Sequence, residues 1–281
     1  MAKTVLDDVS VVDVVAGRTL PRRQVVLDGS RIADGVDQVR LAARDELRRG
    51  AHFLKVMVSG GISSPTDRLD SLQYGRAELA AFVEEATNAG RYVTGHAYTA
   101  ASVTRAAEAG FRCVEHANLI DDRTARLLAD KEMFLVGTLA TYEALATRGK
   151  DAGMPADQLA KLQRVRDAGL RSIELASSAG VRLVYGTDLL GAMHDAQLSE
   201  FALRGQVQPA DEVLRAATLN AAALLDQPDL GRIERGARAD LLLLDADPLS
   251  DITVLTRPER HLKAVVQGGR TVVGSLDPAS R

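Results

Sequence analysis

The sequence lacks the features that mark secreted and membrane proteins. It has one cysteine, Cys113, among 281 residues, which excludes an intrachain disulfide and is typical of a reducing compartment. No apolar run approaches the ~20 residues of a membrane span, and the first residues lack the apolar core of a signal peptide. We therefore expect a cytoplasmic protein that does not contact a membrane.

A strong charge of either sign is also missing. The 35 lysines and arginines nearly balance the 38 aspartates and glutamates, for a net charge of -3, and no basic patch carries interleaved aromatic residues. We therefore expect no nucleic-acid partner. With 46% hydrophobic and 26% charged residues, the composition is that of a globular protein that can bury a large core.

The most informative segment is residues 53–58, an apolar run of strand length with Lys55 in its middle. Apolar residues on both faces are typical of a buried parallel strand. Burying the lysine ammonium without a partner would cost several kcal/mol. Lys55 is therefore expected to reach out from the rim of the strand, to be paired, or to take part in chemistry.

From residue 52 onward, apolar segments alternate with amphipathic ones. This pattern predicts right-handed βαβ units and a parallel sheet, hence an α/β fold. Helices are predicted around 37–49, 77–89, 156–179, 195–204 and 209–226, several of them ending at a glycine such as Gly50 or Gly180. The predicted strands are 52–58, 91–96, 111–116, 133–138 and 181–186.

Both ends of the chain have a β pattern instead. Strands are predicted at 9–15 and 24–27, followed by a hairpin at Asp28-Gly29. Further strands are predicted at 239–245, 264–266 and 271–273. The two ends could pair into one small sheet domain.

Candidate ligands stand on or at the carboxyl ends of the predicted parallel strands, where ligands bind in such folds. They are Lys55, His96, His116 and Asp188. A single strand-end histidine is most often structural, but histidines at consecutive strands together with an aspartate indicate a zinc, manganese or iron site. Such a metal would make hydroxide available, and Asp188 could then take the proton and pass it to a leaving group.

The chain resembles the amidohydrolase superfamily, in its imidazolonepropionase-like and Xaa-Pro dipeptidase-like branch. The matching segments are residues 53–61 (FLKVMVSGG), 95–97 (GHA), 114–117 (VEHA), 186–188 (GTD), 216–220 (AATLN), 231–241 (GRIERGARADL) and 247–249 (DPL). The resemblance runs from about residue 34 to 275, and residues 5–32 fit the first strands of that family.

This resemblance implies a (β/α)8 metal-dependent hydrolase barrel beside a small β-sandwich. Residues 1–33 and 231–281 would form the sandwich, and residues 34–230 the catalytic barrel. The matched lysine, Lys55, would be carboxylated and bridge two metal ions, with His96 and His116 on one ion. Asp188 would bind the other ion and move the proton. Zinc is the first choice of metal.

The resemblance also implies a substrate site. Tyr142 would orient a carbonyl or carboxylate of the substrate, although a tyrosine packing at the start of a helix explains it equally well. His194 is placed to contact substrate or to support a ligand, with a solvated loop histidine as the alternative. His52 and His261 are interpreted as structural or exposed.

Two parts of the family pattern are missing. The sequence has no His-x-His pair, which the family carries on its first barrel strand. The five predicted strands match the fourth to eighth of the family, so the barrel is expected to be incomplete and to lack its first three strands. One metal ion is then favoured over two, and the open edges of such a sheet favour a homo-oligomer.

The sequence thus favours a metal-dependent hydrolase of amide-type C–N bonds in small molecules: dipeptides, N-acyl amino acids or cyclic amides. An alternative is a shortened, inactive member of the family that serves as a binding or oligomerising scaffold. A weaker alternative is a phosphate-binding protein that uses Ser59-Gly60-Gly61, a loop without the Lys-Ser/Thr of a P-loop.

Overall fold

The structure is a computed structural model that describes residues 4–13, 18–27, 35–64, 67–149 and 154–276. Its strands form three sheets. The largest is a five-stranded parallel sheet in the order β3-β4-β5-β6-β7. The strands of this sheet are β3 (Phe53–Met57), β4 (Tyr92–Thr99), β5 (Cys113–Leu119), β6 (Phe134–Gly137) and β7 (Arg182–Tyr185).

This sheet confirms the predicted α/β fold with five parallel strands. Among the described residues, β3 and β7 each pair with a single neighbour, so the sheet stays open. The order follows the chain because each strand is followed by a helix that returns the chain to the same edge.

One face of the sheet is covered by helices. They are α1 (Val36–Arg48), α2 (Arg76–Asn88), α3 (Ala100–Ala109), α4 (Asp122–Asp130) and α6 (Ala156–Ser178), while α5 (Leu139–Arg148) begins directly after β6 and packs against α6. The main hydrophobic core lies between most of them and alternate strand residues such as Leu54, Val93 and Leu135. Because side chains alternate along a strand, the intervening residues lie on the other face.

That other face is less covered. On β3 the pattern alternates, and Phe53, Lys55 and Met57 are exposed. On β5, β6 and β7, the helix α9 (Leu219–Leu224) packs on this face through Leu224, against Cys113, Phe134 and Val184.

The predicted helices after Asp188 are each split in two. The first region holds a 3-10 helix (Gly191–Ala196) and α7 (Ser199–Arg204), and the second holds α8 (Ala210–Ala217) and α9 (Leu219–Leu224). Thr218 interrupts the second region with a non-helical backbone, at φ -125° and ψ -88°. Gly231 (φ +74°) lies so close that an added Cβ would come within 2.6 Å of the Thr218 carbonyl, which explains a glycine there.

The two chain ends form separate antiparallel sheets. At the N-terminal end, β1 (Thr4–Asp13) pairs with β2 (Arg18–Leu27). At the C-terminal end, β8 (Leu241–Leu244), β9 (Leu262–Gln267) and β10 (Arg270–Gly274) form the other sheet, with a 3-10 helix (Ile252–Thr256) and α10 (Pro258–His261) between its first two strands. The division into a barrel part and a shared sandwich stays a prediction, and the predicted Asp28-Gly29 hairpin lies outside the described residues.

In the part of the chain that the structure describes, no helix combines the length and apolar character needed to cross a bilayer.

Candidate active site at the carboxyl edge of the parallel sheet

The sheet brings three of the predicted ligands together. His96 on β4 and His116 on β5 have ring centroids 4.6 Å apart with planes inclined at 72°. Asp188 follows β7, and its Oδ2 lies 3.9 Å from His116 Nε2. The ends of β4, β5 and β7 thus bring these side chains to one edge of the sheet, while the roles of these residues stay predictions.

The backbone is strained where two of these residues stand. His116 (φ 75°), Ala117 (φ 53°) and Asp188 (φ 48°) adopt left-handed conformations that residues with a Cβ rarely take. Each costs about 1–3 kcal/mol and persists only where surrounding structure imposes it. At His116 this left-handed turn breaks the alternation of side chains along the strand. The side chains of Glu115 and His116, although consecutive, can therefore both lie at the candidate site.

The ring of His116 is fixed by hydrogen bonds. Its Nδ1 lies 2.8 Å from Thr138 Oγ1 and 3.0 Å from the Tyr142 hydroxyl, and these two oxygens are 3.0 Å apart. Because Nδ1 is engaged, Nε2 is the nitrogen left facing Asp188. Tyr142 is 2% exposed and holds the imidazole through this network, a contact that the sequence did not predict.

A second residue that sequence reasoning missed is Tyr98. Its ring stacks on His116 at 5.0 Å and 19°, and meets His96 edge-on at 4.9 Å and 90°. Its position two residues after His96 on β4 is the sequence signal, because such residues point to the same face.

Lys55 is paired rather than isolated. Its ammonium forms an ion pair with Glu115, reaching across β4 to β5. Thr94 on β4 donates a hydrogen bond to the same carboxylate at 3.0 Å. Glu115 is thus a further site residue, which the sequence showed only as the neighbour of His116. The role of Lys55 as a carboxylated metal ligand stays a prediction.

Burial sets the charges of the site. It lowers the pKa of His96 to about 4, helped by the positive charge of Lys55, and lowers that of His116 as well, helped by His96 and Lys55. Burial raises the pKa of Asp188, which Lys55 opposes and Glu115 reinforces. Both imidazoles are therefore neutral at pH 7, the form that binds metals.

A cavity of about 210 Å³ lies beside this cluster. His96, Tyr98, Tyr142 and Asp188 lie on its wall. The rest of the wall is Met57, Gly61, Ile62, Ser63, Ser64, Asp67, Thr141, Leu145 and Leu190.

The other histidines lie away from this wall. His194 is exposed on the 3-10 helix, so its predicted contact with substrate stays a prediction. His52 is exposed, and His261 forms a 2.9 Å hydrogen bond with Asp245.

The donor set fits a single metal ion. His96 Nε2 and His116 Nε2 are both buried without a hydrogen-bond partner among the described residues. Two neutral imidazoles and a carboxylate are the donors that zinc takes in catalytic sites. Within the described ranges, no three His, Cys, Asp or Glu side chains are already grouped as metal ligands, so the fit is one of donor chemistry and not of a preformed geometry.

Comparisons with known proteins all indicate the same family. A model of the amidohydrolase family matches residues 1–272. The ochratoxinase of Aspergillus niger is 36% identical over 247 residues, which cover 86% of this chain and 51% of that protein. The chain thus spans about half the length of this curated relative.

Solved structures that resemble this chain indicate the same family. A prolidase complexed with N-methylphosphonate-L-proline superposes with a TM-score of 0.84 at 43% identity, over 87% of this chain and 60% of the other. A Xaa-Pro dipeptidase with bound methionine in its active site superposes with a TM-score of 0.77 at 28% identity, over 86% of this chain and 59% of the other.

Proposed function

The chain belongs to the amidohydrolase family, and from that premise we propose that it hydrolyses amide-type C–N bonds of small molecules with the help of a divalent metal ion, zinc being the first choice. The observation that carries the proposal is the pair of buried, unpartnered imidazole nitrogens, His96 Nε2 and His116 Nε2, beside Asp188. The names of the relatives, an ochratoxinase and a prolidase, support amide-type substrates.

The metal would be held by His96, His116 and Asp188, with Lys55 as a further candidate. When bound, it would polarise the scissile carbonyl and make hydroxide available near neutral pH. Thr138 and Tyr142 hold the His116 ring through Nδ1, which keeps Nε2 directed at the site.

The proton is moved by Asp188. Its raised pKa makes the carboxylate a better proton acceptor than an ordinary aspartate. It takes a proton from the attacking water and delivers it to the leaving nitrogen, so that the amine departs neutral.

A second candidate function is an inactive scaffold of the same family. The open sheet and the Lys55–Glu115 ion pair favour it, because a lysine engaged with a carboxylate is less available as a metal ligand. The phosphate-binding alternative has less support, because Ser59 is buried and its hydroxyl accepts a hydrogen bond from the Tyr98 amide at 3.2 Å.

Replacing Asp188 tests the proposal. We expect Asp188→Asn to lower kcat/KM at least ~100-fold, because general acid–base catalysis contributes about that much, while the fold is retained. The assay uses a panel of dipeptides, N-acyl amino acids and cyclic amides with added zinc or manganese.

Asp195→Asn is the matched control, since Asp195 is exposed and pairs with Arg148 away from the cavity. Equal activity of the wild type and Asp188→Asn would contradict the assigned role. A wild type that turns over nothing and binds no metal would favour the scaffold.

A further inference from the structure

We propose that Asp67 recognises the free α-amino group of the substrate, so that the chain acts on dipeptides and other aminoacyl amides rather than on N-acylated amino acids. This inference rests on the proposed hydrolase function and narrows its substrate class. Neither the match to the family model nor the comparisons assign a role to Asp67.

The loop that carries Asp67 folds back onto the end of β3. Ser59 and Leu72 form an isolated antiparallel bridge, and the Gly60 amide donates to the Ser71 carbonyl at 3.1 Å. A Cβ on Gly60 would lie 2.1 Å from the Arg68 carbonyl oxygen and 2.8 Å from Asp67 Cβ. Only glycine permits this close return, which brings Asp67 to the wall of the cavity beside His96.

The loop is also held from the other side. Lys161 on α6 donates to the carbonyl oxygens of Ser64 at 2.8 Å and Asp67 at 2.6 Å. Ile62 and Leu69 are buried in a cluster with Tyr98 and Tyr142. The described part of the loop is therefore a packed wall of the cavity, and Asp67 is held in place by it.

The charges of the wall select for a cation. Among the described residues, the Asp67 carboxylate accepts a hydrogen bond from Ser64 Oγ at 2.9 Å and forms no ion pair. Asp67 and Asp188 both line the cavity, whereas no lysine or arginine of the described residues does. A substrate carboxylate placed at Asp67 would meet a like charge, while an ammonium group there would gain a charge-assisted hydrogen bond.

A second observation indicates a ligand in the same cavity. His96 is 8% exposed, and its Nε2 has no partner among the described residues. This nitrogen would lie 3.6 Å from a Cβ built on Gly61, in the loop that carries Asp67. With about 210 Å³, the cavity suits one aminoacyl unit, whose amine would face Asp67 while its carbonyl faces His96 and Asp188.

The test measures the binding of two ligands that differ only at the amine. Leucine amide and N-acetyl-leucine amide are titrated calorimetrically into the full chain with zinc added. We expect leucine amide to bind about tenfold more tightly, as one charge-assisted hydrogen bond provides. In Asp67→Asn this preference disappears because leucine amide weakens about tenfold, while the acetylated ligand is unchanged.

Asp70→Asn is the matched control, because Asp70 stands on the same loop, pairs with Arg68 and does not line the cavity. Asp70→Asn should still bind leucine amide more tightly than N-acetyl-leucine amide. The inference is overturned if the wild type binds the acetylated amide equally well, if it binds neither ligand, or if Asp67→Asn weakens both ligands alike.

The outcome is separable from that of the proposed function. Hydrolysis that depends on Asp188 but shows no preference for a free amine leaves the proposed function standing and overturns the role of Asp67. A preference for leucine amide that Asp67→Asn removes, in a chain without hydrolysis, supports the role of Asp67 and contradicts the hydrolase.

Discussion

The imidazoles of the candidate site are held by aromatic and hydroxyl neighbours. His116 is fixed at Nδ1 by Thr138 and Tyr142 and on its face by Tyr98. The same tyrosine meets His96 edge-on. In the proposed metal site both Nε2 atoms converge on one ion, so the Tyr98 ring should act as a positioning residue for both ligands.

Removing that ring should weaken metal binding. We expect Tyr98→Leu to lower zinc affinity by about tenfold or more, the usual effect of losing a group that orients a metal ligand. Tyr98→Phe keeps the ring and should stay within a few-fold of the wild type. Zinc affinity is measured by competition with a chromophoric chelator, with thermal unfolding as a check on the fold. Unchanged affinity in Tyr98→Leu would contradict this role.

The buried histidines should make stability depend on pH. Burial lowers the pKa of His96 to about 4 in the folded chain, from an ordinary value of about 6.5 in the unfolded chain. The unfolded chain therefore binds more protons between these values, so stability is complete above about pH 6.5 and falls as the pH drops towards 4. For His96 alone the loss is on the order of 3 kcal/mol.

Urea unfolding in the presence of a chelator, between pH 4 and 8, measures this effect. His96→Gln should remove part of the pH dependence of the free energy of unfolding. The rest should remain, since burial also lowers the pKa of His116. His194→Gln, which removes an exposed imidazole, is the matched control against which the profile of His96→Gln is compared. A profile that His96→Gln does not alter would contradict the prediction.

At the scale of elements, α7 ties together the ends of β6 and β7. Arg204 donates to the carbonyl oxygens of Gly137 at 2.8 Å and Val184 at 2.7 Å, and pairs with Glu200, both side chains being fully buried. Glu200 in turn accepts the Ala140 amide in the first turn of α5 at 2.6 Å. This pair fixes the spacing of the strand ends that precede Thr138 and Asp188.

Breaking the ion pair between Arg204 and Glu200 should destabilise the fold. We expect Arg204→Met to lower the free energy of unfolding by about 3–5 kcal/mol, because it leaves the Glu200 carboxylate buried without its partner. Combining it with Glu200→Gln should recover part of the loss. Arg171→Met, which breaks an exposed pair with Glu174, should cost at most about 1 kcal/mol. Urea unfolding measures all three, and equal effects of Arg204→Met and Arg171→Met would contradict the prediction.

At the scale of the whole molecule, the parallel sheet is open at β3 in the described structure. Phe53 is 37% exposed and Met57 45% exposed on this edge strand. Open edges with apolar residues favour pairing with another chain. The chain spans about half the length of the ochratoxinase it resembles.

The expected homo-oligomer can be tested directly. We expect light scattering to give a mass above that of one chain, and Phe53→Lys to shift the population towards monomer, because a lysine on an edge strand opposes strand pairing. Leu249→Lys, on an exposed residue outside this sheet, is the control and should leave the mass unchanged. A monomer at all concentrations would contradict the expectation.

The fold could be predicted where local pattern and long-range packing agree. The five strands were predicted within a few residues of their bounds, because each is a short apolar run and all but β6 follow closely after a glycine. The helices after Asp188 were predicted too long. Their breaks depend on contacts, such as the approach of Gly231 to Thr218, that no local pattern shows.

By itself the sequence determined the family, through the segments that resemble it. It also determined the parallel sheet and the edge where His96, His116 and Asp188 meet, because the alternation of strands and helices can be recognised from local periodicity. Only the tertiary structure decided which groups contact one another there. Lys55 on β3 pairs with Glu115 on β5, across β4. The Tyr98 ring contacts the rings of both His96 and His116. The loop after β3 places Asp67 on the wall of the cavity. Such contacts join residues far apart in the chain, and their geometry exists only once the strands are paired and the loop is packed.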